Sequence, residues 1–271
     1  MTLADAVSRL PFAQRPFEPG HVWLAGAGPG GIGCLTLDVV DALRQADAVV
    51  YDALVDPSVL RAAPGASLHF VGKRGGAPSF PQAHINALLV ELALAGKRVL
   101  RLKGGDPNVF GRGAEEAAVL ADAGIPFRFL PGITSALGAL AEAGIPATMR
   151  GVNKGIVFVT GHSAGDEDDV DWAALARTGQ PIVIYMGMSH IGRIAAALIA
   201  GGLPASTPAA IIMAATTPEK RMLVAGLGDI AARASASGIG SPAIIVVGAI
   251  VAASEKLAPT AAKETAGGET S

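Results

Sequence analysis

Apolar residues in this chain come in short, mostly uncharged runs divided by polar or glycine-rich breaks. HVWLAGAG (21–28), DAVVYD (47–52), SLHFVG (67–72) and KRVLRLKG (97–104) read as strands in the first half. A helix is expected from about Thr36 to Gln45 and another near Gln82 to Ala95. In the second, Ile85, Leu88, Leu89 and Leu92 follow the i, i+3, i+4, i+7 spacing of one buried face, and Gly96 supplies the stop. Strand runs alternating with helical stretches are the grammar of an α/β protein.

A second series begins after Ile145-Pro146 and the polar MRGVNKG, with IVFVTGH, PIVIYMGM, PAAIIMAAT, KRMLVAGL and PAIIVVGAIV as strands. The run Ala243 to Ala253 (AIIVVGAIVAA) is too short for the roughly 20 residues of a membrane span and is expected to be one buried strand. Residues 163–169 (SAGDEDD) read as a surface loop. The boundaries expected are an N-terminal α/β domain over 18–148, a C-terminal α/β domain over 149–253 and a disordered tail over 254–271. A length of 271 residues suits two domains.

Composition narrows the function classes. With 51% hydrophobic and 16% charged residues the chain is globular, and an aromatic share of 4% argues against a single-strand nucleic-acid platform. The single cysteine, Cys34, allows no internal disulfide, and no metal-ligand cluster surrounds it, so an intracellular, metal-free protein is expected. Asp5, Arg9, Arg15 and Glu18 interrupt the first twenty residues, which makes secretion an unfavoured reading. The net charge of −2 conceals a basic middle: from Lys73 to Lys154 there are ten Lys/Arg against six Asp/Glu. Solvated faces alone can segregate charge in this way.

GAGPGG (26–31) satisfies G-x-G-x-x-G after a strand, and Asp52 ends the next strand where a ribose-binding acid belongs, so a nicotinamide-dependent oxidoreductase is a rival reading. Against it, Pro29 sits inside the turn, and Thr36 is the expected helix cap, several residues past the glycines that would have to open the helix. On these residues alone, the dinucleotide and tight-turn readings both stay open.

VWLAGAGPG, YDALV (51–55), VGKRGG (71–76), RLKGGDP (101–107), VFGRGAEE (109–116), PGITSA (131–136), AGIP (143–146), FVTGH (158–162) and YMGM (185–188) follow one another in a known order. Through them the chain resembles the tetrapyrrole methylase family, in particular its uroporphyrinogen-III C-methyltransferases, over about nine-tenths of its length. RLKGGDP with FGRG and PGITSA is the specific part.

The resemblance implies two α/β domains with the active site in the cleft between them, in a cytoplasmic homodimer. It implies S-adenosyl-L-methionine as donor, S-adenosyl-L-homocysteine as product, and methylation of uroporphyrinogen III at carbons 2 and 7, through precorrin-1 to precorrin-2. That product feeds sirohaem, cobalamin or haem d1 formation. The partner implied is a small tetrapyrrole, with neither nucleic acid nor membrane. Donor-binding positions carried over are Pro29, Gly104, Gly105, Asp106, Thr134, Ser135, Met186, Ala215 and Ala243. Leu54, Lys73, Arg74, Phe110, Arg112, Arg150, Tyr185 and Met186 are implied on the substrate side, with Asp52, Arg112 and Glu115 as the catalytic set. No metal is implied.

The implied substrate carries eight carboxylates, so Lys73, Arg74, Arg101, Lys103, Arg112, Arg150 and Lys154 are expected to form a basic rim, with Arg112 as main clamp oriented by Glu115. The plainer reading of Arg112–Glu115 is a surface i, i+3 ion pair. Asp106 is equally a turn former, Thr134 a helix cap, and Phe110 and Tyr185 core aromatics. Three positions depart from the family pattern: Gly31-Ile32 in place of Asp-Pro, Asn108 in place of Phe, and Met149 in place of His. The alternatives are a methylase of a later corrin precursor, a tetrapyrrole binder without catalysis, and the nicotinamide enzyme.

Overall fold

Among the described residues, ten strands divide into two five-stranded sheets, one from each half of the chain. The computed structural model describes residues 3–11, 15–72, 81–162 and 170–257. Expectations for the 163–169 loop, for Lys73 and Arg74, and for residues 258–271 of the tail fall outside the described residues.

After α1 (Leu3–Ser8), the first sheet contains β1 (Val22–Gly26), β2 (Ala48–Tyr51), β3 (Ser67–Phe70), β4 (Val99–Lys103) and β5 (Phe127–Leu130). All pairings are parallel, in the order β3-β2-β4-β1-β5. Parallel strands covered on both faces read as unbroken apolar runs, and every residue of β1 and β4 is buried. Trp23, Ala25, Leu100 and Leu102 pack on the side of α2 (Leu37–Gln45). Val22, Leu24 and Val99 face the opposite side, covered by α3 (Gln82–Leu94) and α4 (Gly113–Asp122). Thr36 caps α2 as expected, its Oγ1 accepting from Val39 N at 3.3 Å. Past the end of α3, Gly96 takes φ +75°.

α5 (Ser135–Glu142) leads through the turn at 149–153 to the second sheet. There β6 (Val157–Thr160), α6 (Trp172–Arg177), β7 (Ile182–Tyr185), α7 (Ile191–Ala200), β8 (Pro208–Met213), β9 (Arg221–Gly226), α8 (Ile230–Ser237) and β10 (Ala243–Val247) follow in order. The sheet order is β6-β7-β10-β8-β9, with only the β6–β7 pair parallel. One face packs on α6, α7 and α8. The other buries Ala136, Ala139 and Leu140 of α5 against Val183, Ile212 and Val246. Thus α5, contributed by the first half of the chain, shares a core with the second sheet and ties the two lobes together.

Two expectations need correction. The run 243–253 is not one strand: β10 stops at Val247, Gly248 turns the chain at φ +139°, and Ala249–Ala253 wind into a 3-10 helix that buries Ile250 and Val251. An apolar run cannot by itself say whether it continues as strand or winds up. Residues 254–257, expected in the tail, form α9 (Ser254–Leu257), where buried Ser254 donates to Val251 O at 2.8 Å. No helix of the described residues is long and apolar enough to cross a membrane.

Candidate functional site

Loops at the carboxyl ends of β1, β2, β4 and β5 converge, the end at which open parallel sheets hold ligands. Three of them meet backbone on backbone. Gly28 and Gly105 form an isolated bridge, exchanging N–H···O bonds of 3.1 and 2.6 Å. A Cβ at Gly132 would stand 2.3 Å from Gly105 O, and one at Gly26 would stand 2.4 Å from the same oxygen. These glycines are required by loop-on-loop packing before any ligand is considered. GAGPGG therefore does not open a helix. A short 3-10 turn (Ile32–Cys34) intervenes, and α2 starts only at Leu37, so its N-terminus is not presented to these glycines as a dinucleotide fold demands.

Strain concentrates in the same region. Among the described residues, the non-glycine positions with left-handed φ are Phe110 (54°), Arg112 (59°), Met186 (52°), Ala214 (48°) and Thr216 (65°), in the loops that follow β4, β7 and β8. Backbone strain of this kind gathers at functional sites. The two lobes are stitched together there. Phe110 lies against Tyr185 with ring centroids 4.8 Å apart, and Tyr185 Oη is 2.6 Å from Thr134 Oγ1 and accepts from Ala136 N at 3.3 Å. Gly31 N donates to Thr216 Oγ1 at 3.0 Å, and Lys220 Nζ donates to Glu142 at 2.9 Å. The departure at Gly31 has a reason in this fold: a Cβ there would lie 2.6 Å from Thr216 O.

The positions carried over for a donor lie along this seam. A Cβ at Gly138 would meet Pro29 Cγ at 2.5 Å, one at Gly105 would meet Ser135 Oγ at 3.2 Å, and one at Gly104 would meet Leu54 Cβ at 2.5 Å. Met186 follows Tyr185 and is exposed, Ala215 lies between the strained Ala214 and Thr216, and Ala243 pairs with Met213. Asp106 is already engaged: Oδ1 accepts from Asn108 N at 2.8 Å and Oδ2 from Gly132 N at 3.0 Å, so it closes its own turn and holds the β5 loop. Thr134 precedes α5 but makes no side-chain cap bond; its hydroxyl goes to Tyr185 instead.

On the substrate side, Leu54 and Phe110 are exposed, whereas Tyr185 is buried and its phenol is pushed up chiefly by that burial. Arg112 occupies the position before α4 and grips Glu115 with two bonds, Nε to Oε1 at 2.9 Å and Nη2 to Oε2. That hydrogen bond holds the Glu115 carboxyl below its ordinary range and raises the guanidinium. Both side chains are 54% exposed, so the pair faces solvent with donors to spare. Arg150 is exposed in the 149–153 turn, and Lys154 is exposed just beyond it.

The expected basic rim is corrected at two members. Arg101 and Lys103 are 3% and 4% exposed and pair inward with Glu116 at 3.0 and 2.9 Å. They occupy alternate positions of a fully buried strand, on the face that α4 covers, so neither can rim a cleft. Glu116 and Thr216 are not among the residues expected from the sequence. Glu116 has a legible signal: it shares the helical stripe of Gly113, Ala117 and Leu120, so an acid there implies buried cations. Thr216 has none. No cluster of three or more His, Cys, Asp or Glu suited to a metal occurs among the described residues.

Two lobes joined at a glycine-rich seam, with strained loops around it, define the class. The chain belongs to the tetrapyrrole (corrin/porphyrin) methylases, whose family model matches residues 21–231. It is 52% identical over 244 residues to a uroporphyrinogen-III C-methyltransferase of Sinorhizobium sp., covering 89% of this chain and 87% of that protein. It is also 49% identical to siroheme synthase 2 of Aeromonas hydrophila, over 90% of this chain and 52% of that one, so it spans about half the length of such relatives. Among solved structures it resembles uroporphyrin-III C-methyltransferase of Thermus thermophilus complexed with S-adenosylhomocysteine, at 37% identity and TM-score 0.73, covering 86% of this chain and 99% of that one. A cobalt precorrin-4 methyltransferase matches at TM-score 0.78 but 22% identity, which speaks for the fold alone.

Proposed function

We propose that this chain is an S-adenosylmethionine-dependent uroporphyrinogen-III C-methyltransferase, methylating carbons 2 and 7 in turn and releasing precorrin-2 by way of precorrin-1. The observation that carries the reading is the 52% identity to a relative of that name across 87% of its length. The site suits the donor: small residues and bare backbone from both lobes border one seam, and Gly104, Gly105, Thr134, Ser135, Met186 and Ala215 supply amides, hydroxyls and little bulk. Bound there, the donor would supply an electrophilic methyl group on a sulfonium.

The residues of the chain would then hold, aim and exclude. An electron-rich pyrrole carbon needs no protein nucleophile, so the work is to align two molecules at reacting distance. Arg112, held by Glu115, would clamp a substrate carboxylate, with Lys73, Arg74 and Arg150 adding positive field. Leu54, Phe110, Tyr185 and Met186 would border the macrocycle. Asp52 would face its pyrrole N–H groups and take part in loss of the ring proton. The lobes are taken as 18–148 and 149–253, and the assembly as a cytoplasmic homodimer, which light scattering after gel filtration would check.

Anaerobic incubation with uroporphyrinogen III and S-adenosylmethionine, followed by mass analysis, tests the reading. Two added methyl groups are expected. One would point to a stalled second transfer, and none, with S-adenosylhomocysteine still bound, to a binder. Titration with NAD should give no binding, because the glycine loop leads into a 3-10 turn and not into a helix.

A further inference from the structure

β4 carries two cations in a strand with no exposed residue, which is costly unless something needs them. Val99, Arg101 and Lys103 alternate onto the face beneath α3 and α4, where Glu116 enters from α4 with 0% exposure. Glu116 Oε1 accepts from Arg101 Nε at 3.0 Å, Lys103 Nζ at 2.9 Å and Gln82 Nε2 at 3.2 Å. Its Oε2 is buried without a hydrogen-bond partner among the described residues. Burial, and then the charge of Arg101, push the Lys103 ammonium down, and Glu116 opposes both. An apolar core of the same volume is often at least as stable as a buried ion pair, so stability is a weak reason for this set.

The free edge of the guanidinium supplies a better one. Arg101 Nη1 donates to Leu102 O at 3.1 Å and Val50 O at 3.4 Å, which leaves Nη2 directed at Asp52 Oδ2, 3.5 Å away. Asp52 Oδ1 is taken by Leu54 N at 3.1 Å. Asp52 thus has one oxygen fixed by its own loop and the other facing a clamped guanidinium, while a quarter of its side chain stays exposed. β2 and β4 are neighbours with Val50 opposite Arg101, so the sheet itself sets this spacing.

We propose that Arg101 is a positioning residue that aims the Asp52 carboxylate into the cleft, and that Glu116, shared with Lys103 and Gln82, locks the plane of the Arg101 guanidinium. The inference rests on the reading that Asp52 acts on the tetrapyrrole. Arginine is required because one rigid fork must reach a carboxylate behind it, two carbonyls beside it and a second carboxylate ahead; an ammonium is a point charge.

The test compares Arg101→Lys, Asp52→Ala and the double variant in kcat, KM for uroporphyrinogen III and Kd for S-adenosylhomocysteine. Arg101→Lys should lower kcat by about ten- to a hundred-fold, the scale of a small misplacement at a reacting centre, and leave S-adenosylhomocysteine affinity within about two-fold. In the Asp52→Ala background the same change should have no further effect on kcat. A folded Arg101→Lys with wild-type kcat, or an equal loss in both backgrounds, overturns the inference while leaving the role of Asp52 intact. If Asp52→Ala is itself silent, the reading of Asp52 fails and the inference falls with it. Should Arg101→Lys not fold, Glu116→Gln, isosteric and one charge poorer, takes its place in the same comparison: a kcat loss that vanishes in the Asp52→Ala background supports the inference, and wild-type kcat or an equal loss in both backgrounds overturns it.

Discussion

Arg112 shows why exposure and role must be weighed together. As half of an exposed i, i+3 pair it contributes at most about 1 kcal/mol to stability, so Arg112→Ala should leave the melting temperature nearly unchanged. A charge-assisted bond to a substrate carboxylate is stronger, roughly 1.5–3 kcal/mol, or about a ten- to hundred-fold change in affinity. We therefore expect Arg112→Ala to raise the Kd of the tetrapyrrole by that factor with S-adenosylhomocysteine binding within about two-fold; equal losses, read by calorimetry, would deny the clamp. Gly132 behaves oppositely. A methyl group there meets Gly105 O at 2.3 Å, backbone that can yield only by parting two loops. Gly132→Ala should cost about 1–3 kcal/mol in urea unfolding and also weaken S-adenosylhomocysteine, because the loops it parts carry Gly105 and Thr134.

Strands and helices are readable wherever a single rule decides them. The α2 start follows from a capping threonine and the α3 end from a glycine, and the fully apolar strands β1 and β7 from burial on both faces. Where two rules compete, the sequence is silent. The run after Ala243 is apolar whether it continues as strand or winds into a 3-10 helix, and charges at 101 and 103 read as rim until the strand is seen to be covered by α4. The seam is the least legible part, since Gly31 and Thr216 are 185 residues apart and only the fold brings them into contact. One polar tie between elements yields a pH prediction. Asp47, just ahead of β2, accepts from Arg98 N and Nε at 2.9 Å and from Nη2 at 2.7 Å, and the guanidinium holds its carboxyl down at about 2. A depressed folded-state value means this stabilisation is present above the unfolded value of 3.8 and disappears as pH falls through about 2. Asp47 is about a third exposed, so solvent screening reduces the contribution to roughly 1 kcal/mol. The stability gap between wild type and Asp47→Asn, measured by urea unfolding, should be constant from pH 7 to about 5 and shrink steadily between pH 4 and 2.

The relation of the two lobes decides whether the seam can hold a ligand at all, and it rests on unequal ties. α5 buries an apolar face on the second sheet, which fixes the lobes broadly, while Tyr185 fixes them locally at the proposed donor site. Removing the Tyr185 hydroxyl would leave Thr134 Oγ1, in a residue only 7% exposed, and Ala136 N without that partner, at a cost of about 1–3 kcal/mol. For a chain of this size that corresponds to a fall of about 2–4 °C in melting temperature for each kcal/mol. The Lys220–Glu142 pair also crosses between lobes, but both side chains are more than a third exposed, and it should contribute less than about 1 kcal/mol. The contrast makes a test that a general loss of stability cannot imitate. Tyr185→Phe should lower the melting temperature by several degrees and weaken S-adenosylhomocysteine by about ten-fold, because Thr134 and Met186 stand on opposite sides of the bond it deletes. Lys220→Ala should change neither by more than a small margin. If Tyr185→Phe melts early yet binds S-adenosylhomocysteine as tightly as wild type, the hydroxyl is a core bond only, and the local alignment of the lobes must come from the packing of α5 and of Phe110 on the Tyr185 ring.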